Sequence, residues 1–272
     1  MTNHISDHRR GFGPGFTAVT RLEDRDNATG IALGVLRLGA GEQVVEEAGR
    51  ETAWLLMEGT ASVTAGNRTE EFSRGSLFDE APSCLHAAAG ERVTLRALTD
   101  CEFTVYASAN RSRFESQFYF PANVPNEHRG KGQVGDACLR FVRTIFDRTN
   151  SDPNAELVLG EVITMPGRWS SYPPHHHAQP EIYHYRFTEP QGYGLAENGP
   201  QVFRVKQYDT VKIFDGNDHA QTAAPGYGMY YAWVIRHLPN NPYGIPDFTE
   251  EHKWVMEKNA PFWFPKELKD GN

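Results

Sequence analysis

At 272 residues, 39% of them apolar, the chain is long enough for two small domains or one large one around a real hydrophobic core. Its 35 acidic against 27 basic residues leave a formal charge of -8, so no broad positive field exists for a phosphate backbone and nucleic acid is not an expected partner. No run approaches 18 consecutive apolar residues and the opening MTNHISDHRRGFGPGF lacks an apolar signal segment, so we expect no membrane association and a cytoplasmic protein.

In chain order, short runs rich in Val, Ile, Phe, Tyr, Thr and Trp recur between Gly, Pro, Asn and Asp. IALGVLRL (31–38), ETAWLLMEG (51–59), RVTLRAL (92–98) and EFTVYAS (102–108) are examples. That punctuation predicts an all-β chain of sandwich or barrel type. Cys84, Cys101 and Cys138 are odd in number and lack any CxxC pairing, so they read as small core residues rather than a disulfide framework or a thiolate zinc site. The loop-like stretch 122–136 suggests a division into an N-terminal domain, 1–125, and a C-terminal domain, 126–272, with strands resuming at LRFVRTIF (139–146).

A faint internal echo supports two domains of related plan. Laying His86 over His219 brings 76–86 onto 209–219, and ETAWLLMEG then corresponds to EIYHYRFTE (181–189), a glutamate followed by a strand in both. Val45 and Glu47 stand where the second copy has His175 and His177, so chemistry is expected in the C-terminal copy alone.

There, SSYPPHHHAQPEIYHYRF (170–187) holds three consecutive histidines and a glutamate. Residues two apart on a strand share a face, so His175 and His177 converge while His176 turns away. After the AQP turn a new strand opens at Glu181, whose parity puts Tyr183, Tyr185 and Phe187 on the inner face and Ile182, His184 and Arg186 on the outer one. His219, three residues past Gly216, offers a fourth ligand. Three imidazoles and a carboxylate suit one divalent metal ion, with Zn or Mn foremost and Fe, Co or Ni as alternatives. Solitary histidines are more often surface or hydrogen-bonded residues, and His86, His128, His184, His237 and His252 are read that way. Near the C-terminus TEEHKWVMEK (249–258) predicts a short helix capped by the Thr249 hydroxyl, and the aromatic tail after it reads as an irregular segment over a neighbouring surface.

HxHxxxE with a later GxxH resembles the two motifs of the cupin superfamily. Longer strings narrow the resemblance: GEVITMPGRWSSYPPHHH (160–177), EIYHYRF, PQGYG (190–194) and AAPGYGMYYAWV (223–234) closely resemble the 5-deoxy-glucuronate isomerase family of inositol catabolism. It covers residues 124–235 best. In that family a longer acidic insertion usually separates the HxH from the glutamate; here only AQP does, and the last histidine follows FDGND rather than a proline-containing turn.

The resemblance implies two cupin barrels in one chain, the first without a metal site. It also implies a metal-dependent aldose-ketose isomerase that converts 5-deoxy-D-glucuronate into 2-deoxy-5-keto-D-gluconate. His175, His177, Glu181 and His219 would hold the metal; Glu181, Tyr183, Tyr185 and Tyr231 are the candidate catalytic groups. Arg140, Arg143, Arg168, Lys212 and Tyr227 are candidates for gripping the sugar acid. An isomerase for another uronate, a non-enzymatic sugar-binding cupin and an iron-dependent dioxygenase are the alternatives. Edge strands and the aromatic tail favour a homo-oligomer.

Overall fold

The computed structural model describes residues 3–25, 28–214 and 216–265. Among these residues the strands form three antiparallel sheets, and the helical segments are 3-10 turns. The alternating β-branched and aromatic residues therefore do as expected: they build an all-β chain of two barrels.

The first barrel is a nine-stranded sheet among the described residues, closed on itself by the long strand Thr52–Ala65. Its first part pairs with Cys84–Ala87 and Cys101–Ala107, its second with Arg68–Arg74 and Arg92–Ala97. A register shift between Leu56 and Glu58 and the left-handed Gly59, φ 94°, let the strand bend from one partner set to the other. A Cβ at Gly59 would meet the Asp100 carbonyl at 2.2 Å, so only glycine fits there. Trp54, Leu56, Val63, Phe72 and Phe103 fill the interior.

In the second barrel a seven-stranded sheet runs in the order His4–Ile5, Thr210–Ile213, Glu181–Phe187, Met229–Arg236, Leu157–Thr164, Arg140–Phe146, Glu127–Arg129. Facing it is a five-stranded sheet, Gln201–Lys206, Tyr193–Asn198, His219–Ala223, Trp169–His176 and Asp247–Phe248. The strand His4–Ile5 lies in the N-terminal sequence yet extends the sheet of the second barrel, where His4 and Arg9 both bind Asp209, at 2.7 and 2.6 Å.

Both faces of the sheet's central strands, Leu157–Thr164, Glu181–Phe187 and Met229–Arg236, are largely buried. Tyr183, Tyr185 and Phe187 turn into the barrel. Ile182, His184 and Arg186 turn out of it, but onto the first barrel and the N-terminal arm instead of solvent. Ile182 joins a core shared by both barrels, with Leu33, Leu55 and Met57 from one side and Leu159, Tyr230 and Val234 from the other. Arg186 pairs with Glu102 at 2.7 Å. Two buried carboxylates tie the layers together. Glu161 binds Arg74 at 2.6 Å, Arg143 at 2.9 Å and the Tyr230 hydroxyl at 2.9 Å. Glu51 binds His86 at 2.8 Å and accepts from the Leu157 amide at 2.9 Å.

Two expectations need correction. His86 lies on Cys84–Ala87, which pairs with the start of Thr52–Ala65 as Thr210–Ile213 pairs with Glu181–Phe187. Its strand thus corresponds to Thr210–Ile213 and not to the one that begins at His219. His86 accordingly faces the second barrel, stacked on Phe146 at 4.2 Å, so the His86–His219 echo does not match the two barrels correctly. The helix near the C-terminus is a 3-10 helix, Glu250–Met256, and Thr249 does not cap it. The Thr249 hydroxyl and amide both donate to the Pro174 carbonyl, at 3.0 and 2.9 Å, which ties this segment to the histidine strand. The part of the aromatic tail beyond Pro265 lies outside the described residues.

Candidate metal centre

Trp169–His176 pairs with His219–Ala223 through a register shift between Ser170 and His175, which sets His175 directly across from His219. Ser171 sits within that irregularity at φ 50°, an unusual conformation for a non-glycine residue. His176 turns away and pairs with Asp218 at 2.7 Å. The ligand atoms of His175, His177 and His219 all lie within 4.8 Å of one another.

Each ring has its Nδ1 turned to a backbone carbonyl: His177 to Gln179 at 2.8 Å, His219 to Asn217 at 3.1 Å and His175 to Pro173 at 3.4 Å. A carbonyl only accepts, so Nδ1 carries the proton and Nε2 offers its lone pair. Glu181 Oε2 lies 3.3 Å from His177 Nε2 and 3.4 Å from His219 Nε2. Those side chains are at most 5% exposed. Buried lone pairs and a carboxylate facing one another without a proton repel, and a cation between them removes the conflict. His219 Nε2 is buried without an aligned hydrogen-bond partner, as suits a nitrogen that ligates a metal. The donor set fits a divalent transition metal.

The electrostatics agree. Burial, then the neighbouring His219, bring His175 down to about 3, so it stays a neutral ligand. Burial works against the Glu181 carboxylate; protons on His177 and His219 would hold it at about 2 and raise His177 in turn, and a metal ion takes the place of those protons.

A cavity of about 310 Å³ opens beside the cluster. His175 and Glu181 line one end, Ser171, Tyr183 and Tyr231 the middle, and Trp233 a side wall. Arg129 and Arg140 reach it from the far rows of the sheet, since Glu181 lies level with Ile235 while Arg140 lies level with Thr164 and Met229. Tyr243 to Pro246 cover the mouth, with the Tyr243 ring edge-on to His177 at 5.0 Å. Gln179, from the short AQP turn, donates to the Asn241 carbonyl at 2.8 Å and ties this loop down.

Hydroxyls form a chain along the cavity wall. Ser171 Oγ lies 3.3 Å from the Tyr183 hydroxyl and 3.0 Å from that of Tyr231; Tyr231 donates to Ser170 Oγ at 3.0 Å, and Thr164 donates to Ser170 at 2.6 Å. Burial raises Tyr231 to about 12, with Ser170, Ser171 and Arg140 pulling the other way.

Comparison with known proteins agrees with this barrel. The family model described as "KduI/IolB family" matches residues 6–255. The chain belongs to the KduI/IolB family. Among similar relatives, one from Geobacillus thermodenitrificans is 27% identical over 254 residues, covering 84% of this chain and 86% of the relative. One from Bacillus subtilis strain 168 is 26% identical over 246 residues, covering 86% and 84%. Both carry the name 5-deoxy-glucuronate isomerase. The crystal structure of an IolB-like protein of Salmonella typhimurium LT2 superposes with a TM-score of 0.75 at 26% identity, covering 84% of this chain and 90% of that one. A variant of Bacillus subtilis oxalate decarboxylase superposes at 0.61 with 13% identity over 87% and 76% of the chains, a likeness of cupin fold alone.

In this KduI/IolB chain several expected site residues stand apart from the cavity. Arg143 is consumed by Glu161, the carbonyls of Leu77, Phe78 and Glu80 and the Asn126 side chain, all on the face toward the first barrel. Arg168 donates to the Asp136 carbonyl at 2.6 Å and anchors a loop. Lys212 lies across from Ile182, on the outward face of its strand. Tyr185 donates to Gln221 at 2.8 Å in the core, and Tyr227 packs at the core's edge. Conversely, Arg129, Ser171, Trp233 and Tyr243 were not anticipated. Arg129 hid in a stretch read as a linker, and Tyr243 in a turn-rich run, NNPYGIP, with no period to place it. Among the described residues no helix is long and apolar enough to cross a membrane.

Proposed function

We propose that this protein is a metal-dependent isomerase of a sugar acid, 5-deoxy-D-glucuronate, giving the 5-keto acid by an aldose-to-ketose shift. The observation that carries it is the convergence of three imidazole lone pairs and one carboxylate at the end of a cavity sized for one small molecule. The names of the relatives supply the sugar.

A divalent ion held by His175, His177, His219 and Glu181 would supply Lewis acidity toward a carbonyl and the adjacent hydroxyl. The protein's own groups handle the protons. In an aldose-to-ketose shift the C2 proton is delivered to C1 and the O2 proton to O1, so nothing is gained or lost overall. Tyr231 and Tyr183, joined through Ser171, are the hydroxyls within the cavity that can pass these protons. Ser170, Ser171 and the positive Arg140 favour the phenolate form of Tyr231 against its burial. The wall of Trp233 and the Tyr243–Pro246 cover limit water.

The test is steady-state turnover of metal-loaded protein on 5-deoxy-D-glucuronate and on a 4-deoxy-5-keto uronate, with dissolved oxygen followed in parallel. We expect faster turnover of the first and no oxygen uptake. Preference for the second would reassign the substrate, and oxygen consumption would replace the isomerase by a dioxygenase.

A further inference from the structure

Glu127–Arg129 is an edge strand that pairs with Arg140–Phe146 so that Arg129 stands directly opposite Arg140. Like charges directly across a ladder repel, and nothing in strand pairing requires them. Both side chains nonetheless line the metal-site cavity. Arg140 meets no carboxylate among the described residues; its one protein acceptor is the Cys138 carbonyl, at 3.0 Å from Nη1. Burial, together with the neighbouring Arg129, lowers its pKa from the usual arginine value, while the Tyr231 hydroxyl facing it acts the other way. Arg129 spends Nε on Glu127, at 2.7 Å, in a half-exposed pair that leaves its terminal nitrogens for another acceptor.

The backbone is shaped around this arrangement. Gly130 has φ 75°, and a Cβ there would lie 2.9 Å from Arg140 Nη1 and 2.2 Å from the Cys138 carbonyl. The glycine next to Arg129 therefore makes room for the Arg140 guanidinium. An arginine partly withdrawn from water without a counter-ion is costly, and a second arginine opposite raises the cost. The cavity's carboxylates, Glu181 and Asp147, do not offset it. Glu181 belongs to the histidine cluster, and Asp147 follows the opposite end of the Arg140–Phe146 strand, where it accepts from Thr149 at 2.8 Å.

We propose that Arg129 and Arg140 form the carboxylate-binding end of the cavity, gripping an anionic small molecule whose other end reaches the histidine cluster. In the isomerase reading, on which the choice of a sugar acid rests, they select uronates over neutral sugars. Two guanidinium forks converging on one carboxylate give charge-assisted hydrogen bonds that a neutral group of the same shape cannot match.

The experiment is calorimetric titration of zinc-loaded protein with D-glucuronate and with its neutral isostere D-glucuronamide, for the unsubstituted chain and for Arg140→Gln, Arg129→Gln and Arg140→Lys. We expect the anion to bind at least about tenfold more tightly than the amide. Arg140→Gln should abolish that preference and leave amide binding unchanged; Arg129→Gln should reduce it. Arg140→Lys, which keeps the charge in a fold-conserving change, should retain part of it. Unaltered melting temperature and zinc content certify that each variant is folded. Equal affinities for the two probes, no binding of either, or full preference in both glutamine variants would overturn the proposal. Binding with preference but no isomerisation of any uronate would leave this subsite standing and remove the isomerase, while turnover without charge preference would do the reverse.

Discussion

His219 has its Nδ1 proton committed to the Asn217 carbonyl and its Nε2 buried beside Glu181 without an aligned partner. His176, one residue from His175, points to Asp218 instead. This difference in direction makes a sharp test of the centre. His219→Ala should weaken zinc binding by at least about 100-fold, more than the 10- to 100-fold that loss of a group behind a ligand costs. His176→Ala should leave it unchanged, as read from zinc retained after dialysis against a graded chelator. Equal losses in the two variants would mean that the three-histidine cluster is not where the metal sits. The same distinction of faces was legible beforehand, because a strand repeats every two residues and HHH can present only its first and third rings together.

At the scale of single strands, period two also decides between arginines. Arg140 and Arg143 are three apart on Arg140–Phe146, so a regular strand cannot turn both into one cavity; Arg140 goes in and Arg143 goes to Glu161. That exclusion was available in RFVRTIF, whereas the partner that claims Arg143 was not, since Glu161 is brought to it only by ladder pairing with Leu157–Thr164. The Arg129 strand was illegible for a related reason: three residues of an edge strand between Pro125-Asn126 and Gly130 carry no alternation to read. The packing of neighbouring strands is testable at Gly160, opposite Trp233, where a Cβ would lie 2.3 Å from the indole. Gly160→Ala should destabilise the protein by about 1–3 kcal/mol by overpacking and shift the tryptophan emission as the ring moves. Gly244→Ala, where a Cβ meets nothing within 4 Å, should stay within about 0.5 kcal/mol. Denaturant titration of both distinguishes a tight wall from a loose one.

For the molecule as a whole, the two barrels share a core and are cross-tied by carboxylates, an arrangement that composition and turn spacing could announce only as two all-β units. Which faces meet depends on pairings distant in sequence, and the misregistered His86 echo failed for that reason. Glu51 makes the coupling measurable. Burial opposes its charge, but His86, the Leu157 amide and Asn110 outweigh burial and hold its pKa below the ordinary carboxylate value. A carboxylate depressed on folding contributes stability above its unfolded pKa and loses it as pH falls through the folded value. Glu51→Gln should therefore cost about 3 kcal/mol or more at pH 7, and the gap from the unsubstituted protein should narrow below about pH 4. Denaturant unfolding at the two pH values checks this, and a gap independent of pH would contradict it. The chemistry assigned to the second barrel is tested most directly by proton NMR of 5-deoxy-D-glucuronate in D2O with the purified protein, before and after metal removal and reloading. We expect the C1 aldehyde-hydrate signal to disappear and signals of the 5-keto acid to grow only with metal present. No conversion with Zn, Mn, Fe, Co or Ni, or conversion indifferent to metal, would contradict a metal-dependent isomerase.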